Sequence, residues 1–127
     1  FAGTIDLKTH GTRLFVDAAR TFALALGISD TNTSQRIRAA GRRLNRDERE
    51  IAASVDAYHF LQLLRLRAQR GGLEVATHEA AGGAERPRQA LNRLDPYALN
   101  EIDQRMLREA FRQARALQTH LDQAVGH

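Results

Sequence analysis

The chain has no cysteine, a single lysine, no apolar run of membrane-spanning length and no Asp-x-Asp pair. Without cysteine there can be no disulfide and no thiolate metal site, which is compatible with a reducing cytoplasm. No apolar stretch approaches the roughly 20 residues that span a bilayer. Phe1 opens the chain with neither a methionine nor a basic n-region, so no signal peptide is visible. That start suggests that residues 1–127 are a fragment of something longer. The basic residues are eighteen arginines and one lysine, Lys8. Such a ratio reflects the nucleotide composition of a genome more than a nucleic-acid function. A formal net charge of +4 over 127 residues is too small to argue for DNA binding.

Catalytic signatures are missing too. The five histidines are His10, His59, His78, His120 and His127, and no two lie three or four apart as metal ligands on a helix would. Ser29, Ser34 and Ser54 sit in no nucleophile elbow. Lys8 precedes no phosphate-binding glycine loop. Nucleotidyl transfer needs a Gly-Gly or Gly-Ser turn followed by two carboxylates one residue apart, which hold two magnesium ions. Gly82-Gly83 is followed by Asp95-Pro96-Tyr97, with tyrosine where the second acid would stand. This chain alone is therefore expected to be non-catalytic.

What is present is helical periodicity. In Ile51–Arg70 the apolar positions nearly encircle a helix, as expected of an element inside a bundle. A narrow polar line of Tyr58, Gln62, Arg65 and Gln69 breaks that ring, and Arg65 must find a partner or a wet cleft. His59, mid-helix among apolar neighbours, reads as a satisfied core histidine. An earlier helix spans about Thr12–Leu26, with Leu14, Phe15, Ala18, Ala19, Phe22, Ala23 and Leu26 as its stripe and Gly27 as its stop. Arg13, Asp17 and Arg20 lie opposite. Thr33 reads as the N-cap of a helix over Ser34–Leu44, in which Gly41 would let a neighbour come close. Asn45-Arg-Asp-Glu48 has the form of a capping box for the long helix, with Gly71-Gly72 closing it. Leu73–Ala81 suggests at most a short further helix, and Ala80–Gln89 reads as the most mobile part of a long loop. The last helix starts at Asn100, with Leu107, Ala110, Ala114, Leu117, Leu121 and Val125 inward. Arg105, Arg108, Arg112 and Arg115 form a solvated outer face without the aromatics a nucleic-acid stripe would carry. The expectation is an all-α, four- to five-helix up-and-down bundle with a long loop before its last helix.

Six short motifs follow in order: Asp6-Leu7-Lys8; Val16-Asp17-x-Ala19-Arg20-x-x-Ala23-Leu24; Thr31-Asn32-Thr33-x-x-Arg36; Leu64-Arg65-Leu66-Arg67-x-Gln69; Asn92-x-Leu94-Asp95-Pro96; and Leu99 with the helix ending Leu117-Gln118. Together they resemble the putative nucleotidyltransferase substrate-binding domain family over nearly the whole chain. The resemblance implies a helical domain C-terminal to a nucleotidyltransferase core similar to that of PII uridylyltransferases. CBS or cyclic-nucleotide-binding modules often precede that core in bacterial signal-transduction proteins. Mg2+ and a nucleoside triphosphate would then belong to the core, with no cofactor in this domain. The sequence departs from the family at Ala68, where histidine is usual, and in a long Gly- and Ala-rich Ala76–Gln89.

On this resemblance Asp17, Arg20, Thr33 and Arg36 are expected to form one polar patch near the junction of the first two helices. Arg65, Arg67 and Gln69 would form another at the long helix's C-terminal end. Such arginines hold phosphate or an acidic protein through paired N–H donors, or else brace the helices against the Asn92–Pro96 turn. The competing reading is a stand-alone helical interaction or regulatory module that dimerises through an apolar face. A DNA binder reading through Arg36, Arg38, Arg42 and Arg43 is disfavoured by the small net charge.

Overall fold

The computed structural model describes residues 5–6, 11–80 and 93–124. Four α-helices dominate: α1 (Arg13–Leu26), α2 (Thr33–Arg43), α3 (Glu48–Ala80) and α4 (Glu101–Ala124). A minimal antiparallel ladder pairs β1 (Ile5–Asp6) with β2 (Arg93–Leu94), Ile5 opposite Leu94. It ties the first described residues to the approach to α4. This is the all-α four-helix bundle expected from the periodicity.

The helix ends follow local chemistry. Gly27 closes α1 in the left-handed conformation (φ 67°), and the Ile28 N–H returns 2.9 Å to the Ala23 carbonyl. Asn32, not Thr33, caps α2: its Oδ1 accepts from the Gln35 N–H at 3.2 Å. Asn45 does not open the long helix. It stands at φ 54° and closes α2, with the Arg46 N–H on the Gly41 carbonyl at 2.9 Å and the Asn45 N–H on the Arg42 carbonyl at 3.1 Å. That paired return is the Schellman arrangement, for which asparagine is the usual substitute for glycine. Asp47 caps α3, its Oδ1 accepting from the Arg49 N–H at 2.8 Å. At the start of α4 the Asn100 Oδ1 accepts from the Asp103 N–H at 2.8 Å, as the sequence leads one to expect.

Gly71-Gly72 does not stop α3, which continues to Ala80 and takes in most of the separate turn expected at 73–81. Each helical glycine costs about 1 kcal/mol against alanine, yet glycine keeps its N–H. A helix already propagating therefore passes through. The loop expected over Ala80–Gln89 lies, beyond Ala80, outside the described residues.

The core is built from Phe15 and Phe22 of α1, Ile37 of α2, Val55, Leu61 and Leu64 of α3 and Leu107 of α4, all essentially inaccessible. Burying side chains of this size contributes about 1.5–3 kcal/mol each. α3 lies most extensively along α4, α2 lies against both α1 and α3, and α1 also touches α4. Contacts fix the directions. Arg67 meets Asp103 and Ser54 meets Gln113, so α3 and α4 are antiparallel. Gly41 lies on Ile51 and Ser34 bonds His59, so α2 also runs against α3. Gly11 lies on Leu61 and Phe15 packs at a tilt against Tyr58, so α1 does too. α1 and α2 thus share a direction within the bundle, where strict up-and-down order was expected, because the linker 27–32 is long enough to carry the chain back between them.

Three expectations about α3 change. His59 is exposed rather than in the core, and its Nε2 lies 2.8 Å from Ser34 Oγ. Tyr58, expected in the polar line, is buried against Phe15, and its hydroxyl accepts from Gln62 Nε2 at 2.9 Å. Leu63 and Leu66 are exposed, because the bundle covers only one side of this helix.

Candidate functional site

The residues expected from sequence fall into separate local arrangements. Asp17 and Arg20 lie exposed on α1, where Asp17 pairs with Arg13 one turn back at 3.9 Å. Among the described residues Arg20 has no ion-pair partner. Thr33, half-buried, is the first residue of α2. Arg36 turns to the linker, its Nε donating to the Asp30 carbonyl at 2.7 Å. Arg43, from the last turn of α2, donates to the Leu26 carbonyl and caps α1. These arginines hold the α1–α2 connection in place. Among the described residues, no hydrogen bond or ion pair joins Asp17 or Arg20 to Thr33 or Arg36.

Arg65, Arg67 and Gln69 lie in the middle of α3, because the helix runs on well past Gly72. Arg67 reaches across to Asp103 in the first turn of α4 at 3.9 Å, bridging the two helices. Arg65 and Gln69 are half-buried and each has an interaction partner.

The feature that sequence reading missed is a cavity of about 300 Å3 walled by all four helices. Its floor is apolar: Phe22 from α1, Ile37 and Ala40 from α2, Ile51 from α3, Leu117 from α4. Its rim is polar. Arg46 comes from the turn between α2 and α3, Glu50 and Ser54 from α3, and Arg112, Gln113 and His120 from α4.

The rim is wired in two groups. Arg46 donates through Nε (3.2 Å) and Nη2 (2.7 Å) to one oxygen of Glu50, Oε2. Arg112 holds Glu109 in a two-point fork, Nε to Oε2 at 2.8 Å and Nη2 to Oε1 at 2.7 Å. Gln113 Nε2 donates to the same Glu109 Oε1 at 2.9 Å, and the Gln113 Oε1 accepts from Ser54 Oγ at 3.3 Å. The Arg112 and Gln113 bonds hold the Glu109 carboxyl below its usual range, and Glu109 raises Arg112 in turn. His120 makes no hydrogen bond among the described residues. Burial pushes its imidazole down and the Arg46 charge adds to this, against a smaller opposing pull from Glu50. It therefore lines the cavity as a neutral ring.

Two clues to this cavity were present in the sequence. Arg46 and Glu50 stand one helical turn apart, and Gln113, Leu117 and His120 recur at four and three along α4. What joins them is the approach of α2 to α3 through Gly41, which periodicity alone does not locate.

A second, open groove of about 360 Å3 runs between α3 and α4, lined by Ala53, Asp56, Phe60, Arg105 and Met106 among others. Met106 (45%) borders it, and Leu63 (45%) and Ile102 (70%) are exposed on the same pair of helices. Among the described residues no group of three or more His, Cys, Asp or Glu could hold a metal ion. No helix there is long and apolar enough to cross a membrane.

Against known proteins, a family model described as putative nucleotidyltransferase substrate binding domain matches residues 1–125. No curated protein and no solved structure matches the chain.

Proposed function

This chain belongs to the putative nucleotidyltransferase substrate-binding domain family, and from that premise we propose that it holds the acceptor substrate for a nucleotidyltransferase core elsewhere in the same polypeptide. The observation that carries this reading is the four-helix cavity, with its apolar floor and its rim of Arg46, Arg112 and His120. A small pocket with an apolar body and a few convergent polar groups is the usual form of a ligand site. The chemistry belongs to the other part of the polypeptide. The sequence has no Asp-x-Asp pair of the kind that holds two magnesium ions. Mg2+ and the nucleoside triphosphate are assigned to the core.

In this reading the residues expected from sequence divide. Arg36 and Arg67 hold the fold, with Thr33, Arg65 and Gln69 beside them. Arg20 and Asp17, exposed on α1, face the core. The complete polypeptide would be a cytoplasmic bacterial signal-transduction protein, its core similar to that of PII uridylyltransferases and preceded by CBS or cyclic-nucleotide-binding modules. Steady-state kinetics of the complete polypeptide test this. Arg46→Gln with Arg112→Gln should raise KM for the acceptor with kcat near the native value, the signature of lost ground-state binding. An unchanged KM would remove the cavity from the function.

A second reading is favoured by the α3–α4 groove, which Met106 lines, together with Leu63 and Ile102 exposed on the same two helices. It makes the chain a regulatory module that dimerises through this face. Sedimentation of the wild type against Met106→Glu over a concentration series separates the two.

A further inference from the structure

Resting on the reading of the cavity as the acceptor site, we infer that its occupant is a small organic anion, an apolar ring-sized body carrying one carboxylate or phosphate head. The apolar part seats on Phe22, Ile37 and Leu117, and the head lies at Arg46 and His120.

Size comes first. A dry cavity of about 150 Å3 already accommodates a benzene ring. The roughly 300 Å3 here therefore leaves room for a ring and a head group of a few atoms. It stands at the small end of ligand pockets, which run from about 300 to 1,000 Å3.

The free donors decide the sign of the head. Arg46 is paired with Glu50 and Arg112 with Glu109, so the rim carries no surplus charge, and what a ligand meets is the donor capacity these pairs leave unused. α1 and α2 contribute no titratable group to the wall. Donors remain available on the rim. The Arg46–Glu50 contact uses Nε and Nη2 of the guanidinium and one carboxylate oxygen, so Arg46 Nη1 is left for a ligand. The His120 ring, free of hydrogen bonds among the described residues, supplies a second donor to the same cavity from α4. An anion seated there would also offset the burial and the Arg46 charge that disfavour the imidazolium. Binding and protonation of His120 are then coupled: the imidazole titrates higher in the complex than in the free protein.

Phenyl phosphate and benzoate serve as probes, with benzyl alcohol and benzylamine as neutral and cationic counterparts. Each is titrated into the chain while the His120 ring signals are followed by NMR. Both anions should shift these signals saturably and raise the imidazole pKa. Arg46→Gln should weaken binding roughly tenfold, as the loss of a charged hydrogen-bond donor does. Ala116→Leu, which fills the cavity from α4 without touching the rim charges, should abolish it while circular dichroism stays native. Whichever anion binds more tightly identifies the head as phosphate or carboxylate. The inference is overturned if neither anion gives a saturable shift, or if binding survives Ala116→Leu. It is also overturned if benzylamine or benzyl alcohol binds as tightly as the anions; the cavity then remains a ligand site for another class. Should no probe enter the cavity while the Arg46 and Arg112 variants still raise KM in the complete polypeptide, the ligand class fails and the acceptor reading stands.

Discussion

Gly41 of α2 lies so close to Ile51 of α3 that a Cβ on the glycine would fall 2.5 Å from Ile51 Cγ1. This approach closes one wall of the cavity and brings Arg46 and Glu50 to its rim. Gly41→Ala should destabilise the fold by about 1–3 kcal/mol through overpacking, less up to about 1 kcal/mol of helix propensity regained. Urea denaturation reads the difference. Adding Ile51→Ala should make the two changes non-additive, because the clash disappears with the γ carbons. Additive costs would mean that the helices do not meet here.

Asn45 offers a sharper backbone test. Its φ of 54° is costly for a residue with an ordinary Cβ. Asn45→Gly should be neutral or slightly stabilising, and Asn45→Ala should cost about 1 kcal/mol. If Asn45 were the N-cap of α3, both changes would weaken that helix. Asp47→Ala should instead show the capping loss of about 0.5–2 kcal/mol.

His120 gives the pH dependence. Its imidazole is depressed below the ordinary value in the folded chain, chiefly by burial. The unfolded chain takes up this proton near pH 6.5, the folded chain only at lower pH. Between those values the unfolded state binds more protons, so stability rises with pH. The contribution is complete above about pH 6.5 and is lost as pH falls through that value towards the folded pKa. The difference in unfolding free energy between wild type and His120→Gln, measured from pH 8 to pH 5, should narrow or reverse over that window. A difference independent of pH would contradict the placement of the ring.

Arg67 and Asp103 provide a contrast. Their contact is 3.9 Å long and the arginine side chain is 59% exposed. Exposed pairs of this kind contribute about 0–1 kcal/mol. Arg67→Ala should therefore shift the melting temperature by only a few degrees at most. It should also leave the acceptor KM unchanged, unlike Arg46→Gln.

Much of the fold was legible because it is written in periodicity. The stripe of α1 apart from the exposed Leu14, the seam of α4 through Leu121 (Val125 lies outside the described residues), the stop at Gly27 and the cap at Asn100 all appear where the residue pattern puts them. The errors arose where one residue serves two local chemistries. Asn45 suits both an N-cap and a left-handed helix end, and only the path of the chain after Leu44 decides between them. Gly71-Gly72 reads as a stop, yet glycine lowers helix propensity without removing a hydrogen bond. The site was less legible. Arg46, Glu50, Gln113 and His120 come from the turn after α2, the start of α3 and the end of α4, and nothing in their spacing announces that they meet. Arg112 was legible only as part of a solvated face; its fork with Glu109 and its place on the rim depend on tertiary packing.

The account turns on a division of labour: this domain binds, and metal-held acids elsewhere react. The most direct measurement is nucleotidyl transfer from a labelled nucleoside triphosphate in the presence of magnesium. Residues 1–127 alone are compared with the complete polypeptide, native and carrying Arg46→Gln and Arg112→Gln. The account predicts no transfer by the isolated domain, and a raised acceptor KM with near-native kcat in the complete variant. Transfer by residues 1–127 unaided, or a complete variant with native KM, would contradict it.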